Sequence, residues 1–462
     1  MTKIKFTLED LFDLPGGVIY NPDNYKPLTS VSIDSRKIKS NALFVAIKGK
    51  KFDGHTFIKD VIKNGAKAIV INRNYINKLG YVSIPVVAVP DTTLALGSIA
   101  RIWRNKLNTK IIAITGSAGK TSTKEILAQI LNEKYNVNKT ISNNNNHIGV
   151  PLTVLSTNNK NDALIAELGS NHFGEIQYSA GIVQPDFSLI TNIADSHLEF
   201  FKNRAGVLKE KSSLMEVTNA RKGIVFINND DKLLNNYGLK LKNKVTYAFN
   251  NKADIQGKII GYNSLGQAGI EITSSNKVLK LYSPLYGEQN AKNLLAAIAI
   301  AIKLGFTSTE IKSAVHKLRA VDKRLNVKLL HNFMLIDDTY NANPESMKSS
   351  LELLGRINAY SKRVAVLGDM FELGNNEILL HKKLYDAIKK NHIDSVFTIG
   401  SRMKHLAALL KNTNFETKHF NTRNALKSFL LQNTFSNSAI LVKGSRGMKM
   451  EEFVHVIETK EM

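Results

Sequence analysis

The fold class of this chain is decided by one stretch, Ile111-Ile112-Ala113-Ile114-Thr115-Gly116-Ser117-Ala118-Gly119-Lys120-Thr121-Ser122. Its first five residues are apolar or β-branched and predict a buried strand. The glycine-rich turn leads into a helix predicted over residues 123–134, which is the strand–loop–helix context of a phosphate-binding P-loop. Glycines let backbone N–H groups face phosphate oxygens, and a helix N-terminus favours negative charge. The stretch therefore predicts triphosphate binding by Gly116, Ser117, Ala118, Gly119, Lys120, Thr121 and Ser122.

Two side chains of this loop have specific predicted roles. Lys120 would reach the β- and γ-phosphates, and the Thr121 hydroxyl would bind Mg²⁺. The full Walker pattern has glycine at position 114, where this chain has Ile114. The match is therefore to the shorter form T-G-x-x-G-K-T. For the loop taken alone, a glycine turn without a ligand is the alternative.

The rest of the chain repeats the alternation of strands and helices. Short apolar runs predict strands at 42–47, 68–71, 86–89, 110–115, 162–167, 187–192, 223–227, 333–336, 363–367, 395–399 and 438–442, and helices include 55–64 and 92–106. Such alternation favours mostly parallel sheets covered by helices. We predict an α/β protein of three domains: an N-terminal α/β domain at 1–89, a central P-loop domain at 90–324 with a mostly parallel sheet, and a Rossmann-like C-terminal α/β domain at 325–462. Residues 245–282 predict β-hairpins inserted in the central domain.

The composition excludes several classes of protein. The chain has no cysteine, which excludes disulfides, thiolate nucleophiles and Cys-ligated zinc. It has no run of 18 apolar residues and no apolar signal-peptide region at its N-terminus, so we expect a cytoplasmic protein. The formal net charge of +24 indicates either a polyanionic partner or lysines spread over solvated faces. The second reading is favoured because no single block concentrates the charge.

Two polar side chains follow strands that neighbour the P-loop strand in the predicted sheet. Glu167 ends the predicted strand 162–167, and His197 follows the strand that ends at 192. The carboxyl ends of parallel strands meet at one ligand-binding edge, so both side chains could converge on one metal near the phosphates. A carboxylate suits Mg²⁺ best, whereas histidine is a less usual ligand. The alternative is that His197 is an ordinary polar loop residue.

Longer motifs over essentially the whole chain resemble the Mur ligase family. They occupy residues 115–121, 143–153, 166–172, 191–199, 337–344, 367–374 and 441–446. The resemblance implies an ATP-dependent ligase of peptidoglycan synthesis, and through it of cell shape and division. Its expected substrates are UDP-MurNAc-tripeptide and D-alanyl-D-alanine, joined through an acyl phosphate with ATP and two Mg²⁺ ions. It also implies that the first domain binds the UDP-linked substrate, and that the enzyme is a monomer with no nucleic-acid partner.

The resemblance assigns roles that spacing alone does not show. Lys211, 14 residues after His197, matches a lysine that is carbamylated in similar ligases, where the carbamate helps to hold Mg²⁺. The neighbouring Lys209 is the alternative assignment. The implied metal ligands are therefore Thr121, Glu167, His197 and carbamylated Lys211. The implied catalytic residues are Lys120, Lys211, Arg324 and His197.

Further residues match nucleotide and substrate contacts of the family. Asn290 and Asn293 match nucleotide-binding asparagines, although Gln289 stands where the family usually has histidine. Arg324 resembles an arginine that meets the γ-phosphate, and Asp338 an aspartate that binds the ribose. Other carried-over contacts are Tyr340, Asn341 and Asn343 near the adenine, Asn143 and Asn146 in an asparagine-rich substrate loop, and Ser35 and Arg36 at the uridine diphosphate end.

Three rival readings stay open at this point. A MurE-type ligase that adds a single amino acid carries an Asp-Asn-Pro motif in its last domain, and no such motif is found here. Folylpolyglutamate synthase lacks the first UDP-binding region. A basic nucleic-acid-binding ATPase would use the charge and the P-loop but leaves Glu167, His197 and Asp338 unexplained. The identity of the third stem-peptide residue, diaminopimelate or lysine, does not follow from the sequence.

Overall fold

The computed structural model describes residues 4–275, 277–411, 413 and 415–459 of the 462-residue chain. These residues form three sheets, which follow one another along the chain. Each sheet is mostly parallel and is covered by helices, which confirms the predicted α/β fold class. Within the described ranges, no helix is both long and apolar enough to cross a lipid bilayer.

The first sheet has five strands in the order β1-β5-β4-β3-β2, and only β1 runs antiparallel to its neighbour. Its strands are β1 Val18–Tyr20, β2 Ser30–Ser32, β3 Ala42–Val45, β4 Ala66–Asn72 and β5 Val86–Val89. The helices of this region are α1 Leu8–Phe12, α2 Ile58–Lys63 and α3 Ile76–Leu79. The helix predicted over 55–64 is a 3₁₀ turn at Gly54–Phe57 followed by the shorter α2.

The central sheet has nine strands in the order β14-β13-β12-β11-β10-β9-β6-β8-β7. Its strands are β6 Lys110–Thr115, β7 Val137–Lys139, β8 Ala163–Glu167, β9 Phe187–Ile190, β10 Ile224–Asn228, β11 Lys244–Ala248, β12 Ile255–Tyr262, β13 Gln267–Ser274 and β14 Lys277–Tyr286. Its helices are α4 Thr92–Asn105, α5 Lys120–Leu131, α6 Gly149–Ser156, α7 Glu175–Val183, α8 Leu198–Phe201, α9 Arg204–Ala220, α10 Lys232–Gly238, α11 Gly287–Lys303 and α12 Ser308–His316.

The prediction of inserted β-hairpins over 245–282 is wrong for its first strand. β11 pairs in parallel with β10, and β12 in turn pairs in parallel with β11. Only β12, β13 and β14 form the antiparallel meander that the pattern predicted. The segment is therefore a continuation of the central sheet.

The P-loop strand lies inside the central sheet, where it is paired on both sides. β6 has β8 and β9 as parallel neighbours, so the three strands end at the same edge. One apolar cluster joins this sheet to the first one, because Leu43, Val70, Ile99 and Ile111 belong to a single buried core. Helix α4 contributes to that shared core. The domain limits at 89/90 and 324/325 stay predictions.

The third sheet has six strands in the order β15-β16-β20-β17-β18-β19, with β15 antiparallel and the others parallel. Its strands are β15 Asn326–Leu329, β16 Phe333–Asp338, β17 Lys362–Gly368, β18 Ser395–Ile399, β19 Glu416–Phe420 and β20 Ser438–Lys443. Its helices are α13 Pro344–Arg356, α14 Glu377–Lys382, α15 Leu384–Lys390, α16 Met403–Leu410, α17 Arg423–Gln432 and α18 Glu451–Glu458.

The second and third sheet regions contact each other on two sides of a cleft. On one side the backbone carbonyl of Ser264, in the β12–β13 turn, accepts hydrogen bonds of 3.1 Å from the N–H groups of Asn358 and Ala359. On the other side His197 Nδ1 lies 2.6 Å from Glu372 Oε2. The carboxyl-end loops of both sheets face the space between these contacts.

Candidate active site

A cavity of about 710 Å³ lies between the P-loop and the third sheet. It brings together most of the predicted site residues, namely Ser117, Ala118, Gly119, Lys120, Thr121, Ser122, Asn143, Asn146, Glu167, His197, Asn290, Asn293, Arg324, Asp338, Tyr340, Asn341 and Asn343. Four predicted residues are absent from the cavity wall: Gly116, Lys211, Ser35 and Arg36. Lys50 of the first sheet region also lines the cavity, so all three regions contribute to it.

Two glycines allow the P-loop its conformation. Gly116 and Gly119 have φ angles of +149° and +79°, where side chains other than hydrogen are strained. A Cβ on Gly116 would lie 1.9 Å from Thr191 Oγ1, and one on Gly119 would lie 2.5 Å from Asn293 Oδ1. Helix α5 begins directly after Gly119, at Lys120, which is three residues before the predicted start.

The P-loop is held from outside by the segment that follows β9. The N–H of Ser117 donates to the carbonyl of Asn192 at 3.1 Å, and the N–H of Ala118 donates to Asn192 Oδ1 at 2.9 Å. The Ser117 hydroxyl donates to the carbonyl of Ala194 at 3.1 Å. These bonds hold the loop in its conformation without a ligand. Less conformational entropy is therefore lost when a ligand binds.

Lys120 lies at the base of this loop. Its ammonium group donates to the carbonyl of Gly116 at 2.7 Å. Desolvation lowers the pKa of Lys120, and the nearby Arg324 lowers it further, whereas Glu167 opposes the shift. An anion bound between Lys120 and Arg324 would therefore be attracted by two closely spaced cations.

Glu167 and Thr121 form a pair of oxygen ligands beside the loop. The Thr121 hydroxyl donates to Glu167 Oε2 at 2.9 Å, and Asn145 Nδ2 donates to Oε1 at 2.9 Å. The buried ammonium group of Lys124 lies 3.4 Å from the same carboxylate. The carboxylate is thus fixed with its oxygens next to a hydroxyl, a donor set that suits Mg²⁺.

The protein side chains alone do not complete a metal site. Within the described ranges, no three His, Asp or Glu side chains are grouped as metal ligands. Mg²⁺ usually takes one or two carboxylates and fills its other positions with phosphate oxygens and water. His197 is directed at Glu372 and lowers the pKa of that carboxyl. A shared metal at Glu167 and His197 stays a prediction.

Burial separates the two candidate lysines of helix α9. Lys211 is 1% exposed, whereas Lys209 is exposed with its ammonium group 5.8 Å from the centre of the Phe173 ring. Burial lowers the pKa of Lys211 to about 7, and the charge of Lys120 contributes to the shift. Only a neutral amine reacts with CO₂, so Lys211 has the chemistry that carbamylation needs. Its carbamylation stays a prediction.

The third region presents an arginine and a carboxylate to the cavity. The Arg324 guanidinium stacks 3.9 Å from the centre of the Tyr340 ring. Asp338 accepts hydrogen bonds from the Ser350 hydroxyl at 2.7 Å and from Lys443. Asn343 Oδ1 accepts from the N–H of Ser346 at 2.8 Å and thereby caps α13. These two side chains already have protein partners, and their ribose and adenine roles stay predictions.

Gln289, which replaces the family's usual histidine, contacts one of the predicted nucleotide ligands. Its amide donates to Asn293 Oδ1 at 3.1 Å, so it orients Asn293 toward Gly119. Asn290 Nδ2 donates to the carbonyl of Tyr286 at 3.0 Å. Helix α11 therefore approaches the P-loop through Asn293.

The predicted substrate contacts occupy different places. Asn146 Oδ1 accepts from the N–H groups of Ile148 at 3.1 Å and Gly149 at 2.8 Å, at the start of α6. Arg36 is 84% exposed and forms a two-bond ion pair with Asp34, with both bonds at 2.9 Å. This pair lowers the pKa of Asp34 to about 2. The uridine contacts of Ser35 and Arg36 lie outside the cavity and stay predictions.

Four residues of the site were missed by the sequence analysis: Lys124, Asn145, Glu372 and Lys443. All four carried a usable signal. Lys124 follows Lys120 by one helical turn, Asn145 lies between the two predicted asparagines, and Lys443 belongs to the quoted motif 441–446. Glu372 belongs to the quoted motif 367–374. Its contact with His197 links loops of two separate sheets, so no local pattern could indicate that contact.

Three family models match successive parts of the chain. They are described as the Mur ligase family catalytic domain, at residues 27–104, the Mur ligase middle domain, at 114–301, and the Mur ligase glutamate ligase domain, at 323–446. A curated relative from Haemophilus influenzae, named UDP-N-acetylmuramoyl-tripeptide–D-alanyl-D-alanine ligase, is 34% identical over 449 residues, which cover 95% of each chain.

Solved structures of Mur ligases also resemble this chain. The chain resembles MurF from Acinetobacter baumannii with a TM-score of 0.88 and 28% identity, covering 99% of this chain and 100% of that one. It also resembles the MurF ligase from Thermotoga maritima in complex with ADP, with a TM-score of 0.82 and 26% identity, covering 93% and 97% of the two chains.

Proposed function

Because this chain belongs to the Mur ligase family, we propose that its cavity joins UDP-N-acetylmuramoyl-tripeptide to D-alanyl-D-alanine at the expense of ATP, a step of peptidoglycan precursor synthesis. The observation that carries the proposal is the convergence, on one cavity, of the P-loop with its oxygen ligands and of Arg324 and Asp338. A triphosphate in the P-loop would thus be held against the third region.

The first step activates the tripeptide. Its terminal carboxylate attacks the γ-phosphorus of ATP, an oxygen–phosphorus bond forms, the bond to the β–γ bridging oxygen breaks, and ADP leaves. Two anions must approach each other in this step. Lys120 and Arg324 offset their repulsion and stabilise the charge of the transferred phosphoryl group.

The protein's own oxygen ligands support that step. Thr121 and Glu167 would hold Mg²⁺, which would neutralise phosphate charge when bound; two ions are proposed. Lys211, once carbamylated, and His197 would add ligands from α9 and from the loop before α8. Lys124 and Asn145 keep the Glu167 carboxylate oriented toward the loop. The contacts of Thr121, Lys124 and Asn145 with Glu167 support the part of this proposal that concerns Glu167.

The second step forms the amide bond. The amine of D-alanyl-D-alanine attacks the acyl carbon, loses a proton, and phosphate departs from the tetrahedral intermediate. No side-chain nucleophile is required, which agrees with the absence of cysteine. The acceleration comes from positioning and charge stabilisation.

The proposed location of the protein is the cytoplasm, and its proposed oligomeric state is a monomer. Light scattering on the purified protein tests the oligomeric state.

The acceptor distinguishes this function from that of a ligase that adds one amino acid. Purified protein with ATP, Mg²⁺ and UDP-MurNAc-tripeptide should release phosphate when D-alanyl-D-alanine is present. We expect little release with D-alanine, L-lysine or diaminopimelate as acceptor. Parallel reactions should use tripeptides that end in lysine and in diaminopimelate, since the third residue is not assigned. Equal turnover with a free amino acid would refute the dipeptide assignment.

A further inference from the structure

A short hairpin of the first sheet region places a cation at the active cavity. Lys48 and Asp53 pair across its base, and the N–H of Gly49 donates to the carbonyl of Phe52 at 2.8 Å. Lys50 and Lys51 therefore occupy its tip, and we name residues 48–53 the basic hairpin. Both tip lysines are exposed, but only Lys50 lines the cavity.

The base of the basic hairpin is fixed by a buried histidine. His55 is 5% exposed, and its Nδ1 donates to Asp53 Oδ1 at 2.6 Å. Its Nε2 accepts from the N–H of Asn72, at the end of β4, at 2.9 Å. Gly54 packs so closely on Ile47 that a Cβ there would lie 2.9 Å from the Ile47 nitrogen. The tip is thus carried on a rigid base, which reduces the entropy lost when a ligand binds.

The other cations of the cavity either form ion pairs within the protein or are assigned to the triphosphate. Among the residues that the structure describes, five lysines and arginines line it: Lys50, Lys120, Arg324, Lys443 and Arg446. Lys443 pairs with Asp338, and Arg446 pairs with Glu451 at 2.7 Å. Lys120 and Arg324 serve the triphosphate. Lys50 forms no ion pair with any residue in the described part of the chain, and the triphosphate account leaves it without a role.

From this geometry we propose that Lys50 binds an anionic group of the UDP-linked peptide, either its pyrophosphate or a peptide carboxylate. The inference rests on the proposed function, because that substrate alone must reach from the first region to the P-loop. Arg36 does not line this cavity, and its charge is neutralised by Asp34. An exposed lysine at a cavity rim changes affinity through charge, so its effect should weaken with salt.

Lys51 gives a matched control on the same hairpin. Titration calorimetry with UDP-MurNAc-tripeptide, in the presence of Mg²⁺ and a non-hydrolysable ATP analogue, compares wild type, Lys50→Ala and Lys51→Ala. We expect a Kd about tenfold higher for Lys50→Ala and within about twofold of wild type for Lys51→Ala. Affinity for the ATP analogue alone should be unchanged in both variants.

A second ligand identifies the anion. If UDP-MurNAc without peptide also binds about tenfold more weakly to Lys50→Ala, the anion is the pyrophosphate; if it binds unchanged, the anion is a peptide carboxylate. Equal Kd values for Lys50→Ala and Lys51→Ala would overturn the inference, as would a loss confined to the ATP analogue. These results leave the proposed function intact. Failure of wild type to bind the UDP-linked peptide would overturn both.

Discussion

We expect phosphoryl transfer to depend strongly on Lys120. It is tied to the Gly116 carbonyl at 2.7 Å and faces the same cavity as Arg324. We predict that Lys120→Ala lowers kcat/KM for ligation by at least about 1,000-fold, because a preorganised cation is lost from the phosphoryl site. Product formation measured by chromatography tests this.

The matched control for that substitution is Lys134→Ala, an exposed lysine just beyond α5. It should keep wild-type turnover, and both variants should keep the wild-type melting temperature. Ligation by Lys120→Ala within about tenfold of wild type would remove the lysine from the mechanism.

Lys211 is expected to carry a carbamate at neutral pH. Its pKa is lowered from 10.5 to about 7 by burial, so its neutral fraction rises as the pH passes 7 and not as it passes 10.5. With ¹³C-bicarbonate, ¹³C NMR should show a carbamate signal that grows between about pH 6 and pH 8. Below that range the amine is protonated and the signal should disappear.

Two variants assign that signal. Lys211→Ala should lose it, ligate poorly and be partly rescued by formate or acetate, whereas Lys209→Ala, altered at the exposed neighbour, should behave as wild type. Wild-type turnover in Lys211→Ala, or a signal that persists in it, would refute the carbamate assignment.

Among the elements, the junction between β6 and α5 is the most constrained. A side chain on Gly119 meets both a φ of +79° and the Asn293 amide oxygen at 2.5 Å. We predict that Gly119→Ala lowers the free energy of unfolding by on the order of 2 kcal/mol and weakens binding of an ATP analogue. Chemical denaturation and calorimetry measure the two effects.

Gly181→Ala is the corresponding control, because a Cβ at this position of α7 meets no atom within 4 Å. Alanine has a higher helix propensity than glycine, so the stability of this variant should be unchanged or higher by up to about 1 kcal/mol. If Gly119→Ala has the same free energy of unfolding as Gly181→Ala, the backbone at Gly119 does not require glycine.

Local patterns predicted these elements to different degrees. The apolar run at 110–115 and the glycines after it predicted the P-loop, because both signals are local in the chain. The parallel pairing of β11 with β10 is a choice between distant partners, so a β-rich run at 245–282 could not reveal it. Similarly, the asparagine-rich loop was recognised, but only the folded backbone shows that Asn145 reaches Glu167 while Asn146 accepts from the N–H of Gly149, the first residue of α6.

At the scale of the whole molecule, the three motif-bearing regions meet at one cavity although they lie far apart in sequence. The Ser264 carbonyl and the Arg356–Glu288 ion pair of 2.8 Å join the second and third regions on one side, and His197 and Glu372 meet on the other. The His197–Glu372 contact lies beside the cavity and joins two loops, so it is the contact that domain opening would break first.

We therefore predict that the second and third regions close on their ligands. Small-angle X-ray scattering should show a smaller radius of gyration with an ATP analogue and UDP-MurNAc-tripeptide together than without ligand. Glu372→Ala should raise the ligand concentration needed for this compaction, because it removes the partner of His197. An unchanged radius of gyration at saturating ligand would contradict domain closure.

In the proposed reaction, ATP activates the tripeptide's own carboxylate before the dipeptide amine attacks it. UDP-MurNAc-tripeptide labelled with ¹⁸O in its terminal carboxylate tests this most directly, with mass spectrometry of the phosphate released during ligation to D-alanyl-D-alanine. We expect one ¹⁸O atom in each phosphate and one phosphate for each amide bond formed. Phosphate without ¹⁸O, or ATP cleavage that is not coupled to dipeptide addition, would contradict it.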